Sequence, residues 1–242
     1  MLPVLLLDAG LALVTIAVLS RFSSVTRGHD ALVAVIGLLF VVVALALPAR
    51  AIRLEGPPLA LERLMPEYEF GESHEIRVQA SAARVYRAIR EVTASEIRFF
   101  RLLTWIRAPR LPGQGKESIL NPGATRPILD IALGSGFFLV HEEPGRELVV
   151  GTLVCCSGAA RPTTGAELLA MREGDLAKAF MNFAVIDAGG GTTRVVTQTR
   201  IHATSGAAAR RFATYWRLIY PGSAFIRRMW LRAIRDRAEA SG

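Results

Sequence analysis

The acidic side chains around a Pro-Gly turn are the first candidates for chemistry in this sequence. Glu142 and Glu143 precede the turn at residues 144–145, and Glu147 follows it. Two neighbouring carboxyl groups can act as general acid and base. Glutamates beside a turn are more often solvated surface charges, so we predict no catalytic residue among them. Glu147 begins an otherwise apolar strand, and we predict that it forms a structural ion pair with Arg200.

The histidines and cysteines do not indicate a metal site. The four histidines are scattered, and no two of them have the spacing of metal ligands: His29, His74, His141 and His202. The adjacent Cys155 and Cys156 would point to opposite faces of a strand, so they are not expected to pair with each other. His202 is either a base that faces a cavity or an exposed or satisfied histidine. We predict no metal and no cofactor.

Aromatic side chains recur at helical spacing near the C-terminus and can either line a ligand site or pack as ordinary core. Strand residues are expected to face the same interior. Because Phe180 and Phe183 are three apart, a regular strand cannot point both inward, and we omit Phe183. The predicted pocket lining is Phe180, Val196, Phe212, Tyr215 and Trp216.

Two apolar runs at the N-terminus predict a transmembrane hairpin over residues 1–50. The runs cover 2–20 and 31–49, and each has 19 residues, which as a helix spans ~28 Å of a ~30 Å hydrocarbon core. The polar connection between them is short, so the helices should run antiparallel. Arginine counts favour a cytoplasmic C-terminal domain. We therefore expect an integral membrane protein with two spans.

The remainder is predicted to be a linker, 51–72, followed by one α+β domain, 73–242. Alternating polar and apolar residues predict a strand at 74–80, and apolar residues at helical spacing predict helices at 81–92 and 95–108. Four further strands pair as hairpins with glycine in their turns. These strands are predicted at 136–143, 147–156, 177–187 and 193–204. A long amphipathic helix, kinked at Pro221, ends the chain.

The excess of positive charge lies at the C-terminus. The chain has a net charge of +8, and residues 206–242 hold eight arginines and two acidic residues, a net charge of +6. Beside a membrane, anionic lipid headgroups are the expected partner, and no nucleic acid is expected. We predict that Arg228, Arg232 and Arg235 contact the membrane surface.

The order of these elements resembles that of the START-like superfamily, also called SRPBCC or polyketide cyclase/ligand-transport proteins. The resemblance covers about residues 70–240 and excludes the N-terminal hairpin. It is carried by HEIRVQA (74–80) with ARVYRAI (83–89), GFFLV (136–140) with GRELVVG (145–151), and TRIHAT (199–204) through RFATYW (211–216) to SAFIRR (223–228). It implies a helix-grip fold, an antiparallel sheet wrapped around a long C-terminal helix, often enclosing an apolar cavity.

Three functions follow from this resemblance and the residues. The first is a membrane-tethered module that binds a lipid or another apolar small molecule at the bilayer surface. The second is a non-catalytic envelope or assembly scaffold that uses the fold for protein contacts. The third is a cyclase- or hydrolase-like enzyme, which ranks last because no acid/base pair or nucleophile stands out. An apolar cavity favours the first, a filled core the second, and a histidine or carboxylate facing a cavity the third.

Overall fold

The computed structural model describes residues 2–20, 30–46, 52–53, 59–107, 116–157 and 161–240. The chain divides into two compact units. The first unit comprises Met1–Arg50 with Arg210–Tyr220, and the second comprises Ala51–Ala209 with Pro221–Gly242. The predicted boundaries at residues 50 and 72 stay predictions.

The first unit contains a pair of helices, α1 (Leu2–Ser20) and α2 (Asp30–Ala46). Their backbones meet at two glycines. A Cβ atom on Gly10 would lie 2.6 Å from the carbonyl oxygen of Gly37, and one on Gly37 would lie 2.8 Å from that of Gly10. Any larger residue at either position would force the helices apart.

The described part of the chain contains no helix that is both long and apolar enough to cross a membrane. The described part of helix α2 runs from Asp30 to Ala46. Its predicted end lies at residue 49, and residues 47–50 are outside the described ranges. The prediction of an integral membrane protein with two spans and a cytoplasmic domain is therefore wrong.

The second unit is built on a five-stranded antiparallel sheet with the strand order β3-β7-β6-β5-β4. A small two-stranded sheet pairs β1 (Ile52–Arg53) with β2 (Glu67–Tyr68). The large sheet comprises β3 (Phe70–Val78), β4 (Phe138–Glu143), β5 (Glu147–Ser157), β6 (Asp175–Asp187) and β7 (Thr193–Ala203). All five predicted strands are confirmed, and the turn glycines Gly145 and Gly189 have positive φ as predicted.

The described residues contain six further helices: α3 (Ala60–Leu64), α4 (Ala82–Glu91), α5 (Phe100–Arg107), α6 (Ile128–Leu133), α7 (Gly165–Ala170) and α8 (Gly206–Ala240). The helix α8 runs from Gly206 to Ala240 as one element that contains Pro221, and the predicted kink at this residue stays a prediction. The sheet with its long C-terminal helix confirms the predicted α+β class and fits the helix-grip arrangement.

Apolar side chains on one face of the sheet form the main core with α4, α6 and the last twenty residues of α8. The ring of Trp230 is central, with its centroid 5.1 Å from that of Phe183 and 6.2 Å from that of Phe100. Members from each layer are Val85, Ile89, Ile128, Phe183, Val195, Trp230 and Ile234. These side chains therefore pack between this sheet face and the end of α8.

A smaller apolar cluster covers the opposite face of the sheet beneath α3. It contains Leu61, Met65, Val149, Leu168 and Phe180. We call this side of the sheet the outer face. Both faces are thus covered, and this arrangement decides which strand residues can reach a ligand.

Candidate functional site

The two strand residues of the predicted pocket lie on the outer face. Phe180 packs in the cluster beneath α3, and its ring lies over Gly151, where a Cβ atom would be 2.7 Å from the ring. Val196 follows Val195 of the main core and so points to the outer face as well. Phe183, omitted from the predicted lining, is the residue that faces α8. The structure therefore places Phe180 and Val196 away from the main core.

The three helix residues of the predicted pocket form an aromatic row in the first unit. The ring of Phe212 lies 5.6 Å from that of Tyr215 and 6.0 Å from that of Trp216. Phe212 and Trp216 are buried, whereas Tyr215 is exposed. Their role as pocket lining stays a prediction.

Two of the three arginines predicted to contact a membrane point away from the main core. Arg228 and Arg232 are exposed on α8. Arg235 instead donates two hydrogen bonds to Asp236, from Nε at 2.9 Å and from Nη2 at 2.7 Å. Contact of these arginines with a membrane stays a prediction.

A buried carboxylate attaches α3 to the outer face. The Glu147 carboxylate accepts hydrogen bonds from the backbone N–H groups of Ala60 at 2.6 Å and Leu61 at 3.2 Å. It accepts a third from the side-chain amide of Asn182 at 2.7 Å. The carboxylate satisfies the first backbone amides of a short helix, and its negative charge lies at the positive end of the helix dipole. Glu147 therefore has a structural role.

Arg200 attaches the other end of α3 and does not pair with Glu147 as predicted. Its guanidinium donates to the Met65 carbonyl at 2.8 Å and to the Glu62 carboxylate at 3.2 Å. The same group lies 4.9 Å from the centre of the Tyr68 ring. Glu147 of β5 and Arg200 of β7 lie on either side of β6 and are offset by four residues along the strands, so each charge finds a partner on α3 instead.

A small pocket of about 140 Å³ opens beside α3 and α7 on the outer face. Lys178 of β6 and His202 of β7 are direct cross-strand partners, so their side chains share this face. We call the cavity the Lys178 pocket. It is lined by Leu64, Met65, Pro66, Glu67, Leu169, Arg172, Lys178 and His202.

The amine of Lys178 is almost completely buried, with 1% of the residue exposed. Its Nζ donates to the carbonyl oxygens of Leu169 at 3.1 Å and Met171 at 2.7 Å, where α7 ends. Thr164 fixes the start of α7 by accepting a hydrogen bond from the backbone N–H of Glu167. Burial, and to a lesser extent the charge of Arg172, lower the pKa of Lys178 to about 8.

Two cationic side chains converge on the same two carbonyl groups. Arg172 Nη1 donates to Leu169 O at 2.5 Å and to Met171 O at 3.3 Å, the acceptors that Lys178 also uses. Neutral carbonyls accept these bonds without cancelling the two positive charges. The end of α7 thus concentrates positive charge at the pocket wall.

A histidine–carboxylate pair lies at the same pocket. His202 Nδ1 is 3.4 Å from Glu69 Oε1, and Glu69 also accepts a hydrogen bond from the backbone N–H of Ala203 at 2.8 Å. Burial alone would raise the pKa of Glu69, but the bonds from His202 and Ala203 outweigh it and lower that pKa. The Glu69 carboxylate therefore lies beside the Nδ1 edge of the His202 ring.

Within the described ranges, no group of three or more His, Cys, Asp or Glu side chains is arranged to hold a metal ion. Sequence reasoning left His202 open and did not consider Lys178. The sequence contains one signal for it, because Lys178 is one of only two lysines and interrupts an apolar strand.

Comparison with known proteins gives only distant structural neighbours. Neither a protein-family model nor a curated protein matches the sequence. A Thermus thermophilus protein shares 14% identity at a TM-score of 0.30 over 72% of this chain and 99% of its own. The Streptomyces aromatase/cyclase Zhui shares 13% sequence identity at a TM-score of 0.28, over 70% of this chain and 93% of its own. Norcoclaurine synthase from Thalictrum shares 12% sequence identity at a TM-score of 0.28, over 70% of this chain and 93% of its own. Similarity at this level assigns no ligand or activity to the chain.

Proposed function

We propose that the domain is a binding module for a small organic acid, whose carboxylate is held in the Lys178 pocket. The observation that carries this proposal is the buried Lys178 amine beside Arg172 in an open cavity. An ammonium group has three N–H donors, and two of them go to carbonyls at the end of α7. The third is available to a ligand oxygen.

The rest of the pocket selects the body of the ligand. Leu64, Met65 and Leu169 also line the pocket, so a short hydrocarbon portion can pack against their side chains. Pockets for drug-sized ligands measure ~300–1,000 Å³, and 140 Å³ is well below that range. The ligand is therefore a short amphipathic acid.

The two-lysine composition gives a direct binding assay. In a Lys116→Arg variant labelled with ¹³C-lysine, the only lysine signal comes from Lys178. We expect its Cε resonance to titrate near pH 8, and butyrate to shift that midpoint upward because the bound carboxylate favours the charged amine. Butyrate should bind more tightly than acetate, by about four-fold per buried methylene until the wall is covered.

Two controls separate recognition of the acid from general effects. Butanol has a similar apolar body without the carboxylate and should leave the midpoint unchanged. Arg172→Gln should weaken butyrate binding while keeping the Lys178 signal. A Lys178 resonance that responds to neither acetate nor butyrate at millimolar concentrations would overturn the proposal.

The His202–Glu69 pair favours a second candidate, acid–base catalysis on the bound molecule. A histidine oriented by a carboxylate can transfer protons to a ligand in the pocket. Repeated turnover of p-nitrophenyl acetate that falls at least ten-fold in His202→Asn, but not in His141→Asn, would support an enzyme. Unchanged turnover in His202→Asn would leave the binding module as the only candidate.

A further inference from the structure

The structure carries a patch of exposed apolar side chains beside the edge of the main core. Its four side chains, which we call the apolar patch, come from the segment that enters α5 and from α8. Phe99 is 58% exposed, Leu102 53%, Trp105 52% and Phe225 39%. Leu102 and Trp105 are one helical turn apart on the side of α5 opposite the buried Phe100.

Phe99 is held in this patch by an unfavourable backbone conformation. Its φ is +61°, in the left-handed region that bulky residues avoid. Its ring lies 6.0 Å from that of Phe225, and both rings remain exposed to water. Strain without burial contributes nothing to the core, and such outliers concentrate at functional positions.

Exposed arginines surround the apolar patch. Arg98 and Arg101 flank Phe99, and Arg228 and Arg232 follow Phe225 along α8. Within the described residues, none of these four takes part in an ion pair, whereas Arg126, Arg146 and Arg194 are each paired with a glutamate. The surface therefore combines apolar side chains with uncompensated positive charge.

We propose that the apolar patch and its arginines form a docking surface for an anionic lipid bilayer. Tryptophan and phenylalanine rings enter the interface between headgroups and hydrocarbon, while guanidinium groups contact lipid phosphates. This adsorption requires no membrane-spanning helix, and it is independent of the Lys178 pocket. It assigns the predicted contacts of Arg228 and Arg232 to a surface that also includes α5.

Charge and shape favour a bilayer over other partners. A second copy of this chain would bring like charges together around the patch. Proteins that bind single-stranded nucleic acid use a groove that follows the backbone, whereas Leu102 and Trp105 stand on the convex side of a helix. A flat anionic surface satisfies both the apolar side chains and the arginines.

The test measures co-sedimentation of the full chain with vesicles. Equimolar phosphatidylcholine and phosphatidylglycerol should bind the chain more tightly than phosphatidylcholine alone, and high salt should weaken the difference. The triple variant Arg98→Gln, Arg101→Gln, Arg228→Gln should lose about five-fold in affinity per arginine. The matched triple variant Arg126→Gln, Arg146→Gln, Arg194→Gln has the same net charge and should bind like the wild type.

Fluorescence quenching locates the contact. Bromine-labelled phosphatidylglycerol vesicles should quench part of the tryptophan emission in the wild type, and that part should be absent in Trp105→Phe. Equal effects of the two triple variants, or equal quenching in Trp105→Phe, would overturn the proposal.

Two further results would assign the surface to another partner and would also overturn the proposal. One is an affinity for single-stranded oligonucleotides with the same arginine dependence, which would indicate nucleic acid. The other is a dimer that Leu102→Glu abolishes, which would indicate a second copy of the chain.

Discussion

At the scale of single residues, the outer face of the sheet is unusual for the charges buried in it. Glu147, Lys178 and Arg200 are each at most 5% exposed. Charges removed from water require partners, and these three find them at α3 and at the end of α7. The cost of burying these charges therefore depends on those short helices being in place.

The titration of Lys178 predicts an alkaline gain in stability. Its pKa falls from 10.5 to about 8 on folding, so between those values the unfolded chain binds the additional proton. Stability should therefore rise with pH from about 8 to 10.5, and the full penalty of the buried charge is present below pH 8. Urea denaturation across this range should show the rise, and Lys178→Met should flatten it. An identical pH dependence in both proteins would contradict the lowered pKa.

Removing the Glu147 carboxylate should detach α3. In Glu147→Ala, the amides of Ala60 and Leu61 and the Asn182 side chain lose their acceptor. We expect a loss of roughly 3 kcal/mol in unfolding free energy, because buried donors are left unsatisfied. Urea denaturation measures the loss, and hydrogen exchange should show a faster Leu61 amide. Glu143→Ala, an exposed position paired with Arg146, should change stability by less than ~0.5 kcal/mol.

Some of these residues could be identified from the sequence, but their partners could not. The sequence shows Glu147 as a charged residue in an otherwise apolar strand, and in the structure this carboxylate is buried. Its partner is the start of a helix 86 residues away in the chain, which no local pattern reveals. Strand alternation shows that Phe180 and Phe183 face opposite sides, but alternation alone does not say which side carries the long helix.

At the scale of elements, the strands were predictable and the short helices were not. Alternation and glycine turns identified all five strands of the large sheet. The five-residue α3 lies within the predicted linker, because a helix of this length is unstable alone and depends on Glu147 and Arg200. The helix α5 begins at Phe100 instead of Ser95, since Phe99 leaves the helical region of backbone space.

The strain at Phe99 predicts a stabilising substitution. In a Phe225→Ala background the contact between the two rings is already absent, so Phe99→Gly should relieve only the backbone strain. We expect a gain of up to about 1 kcal/mol in unfolding free energy, because glycine adopts positive φ freely. Urea denaturation of the single and double variants measures it. A loss of stability of similar size would mean that φ at this position is not strained.

At the scale of the whole molecule, element order predicted the α+β class and the helix-grip arrangement. The apolar N-terminal runs led to a wrong membrane topology, because the length of an apolar run in a sequence does not by itself establish a helix that crosses a membrane. The location of the pocket was also beyond prediction. It depends on two short helices and a sheet register that pairs Lys178 with His202.

Because the chain has only two lysines, cleavage by a lysine-specific protease can report on unfolding of the sheet. A lysine-specific protease has only two sites, the exposed Lys116 and Lys178 in the central strand of the sheet. Cleavage at Lys116 needs only local access, whereas cleavage at Lys178 requires the sheet to come apart. We expect native protein to be cut once, rapidly, and the second cut to follow global unfolding. Butyrate should slow the cut at Lys178 and leave the cut at Lys116 unchanged. On a gel, the products of the first cut would therefore report local access, and the products of the second would report unfolding of the ligand-bound sheet.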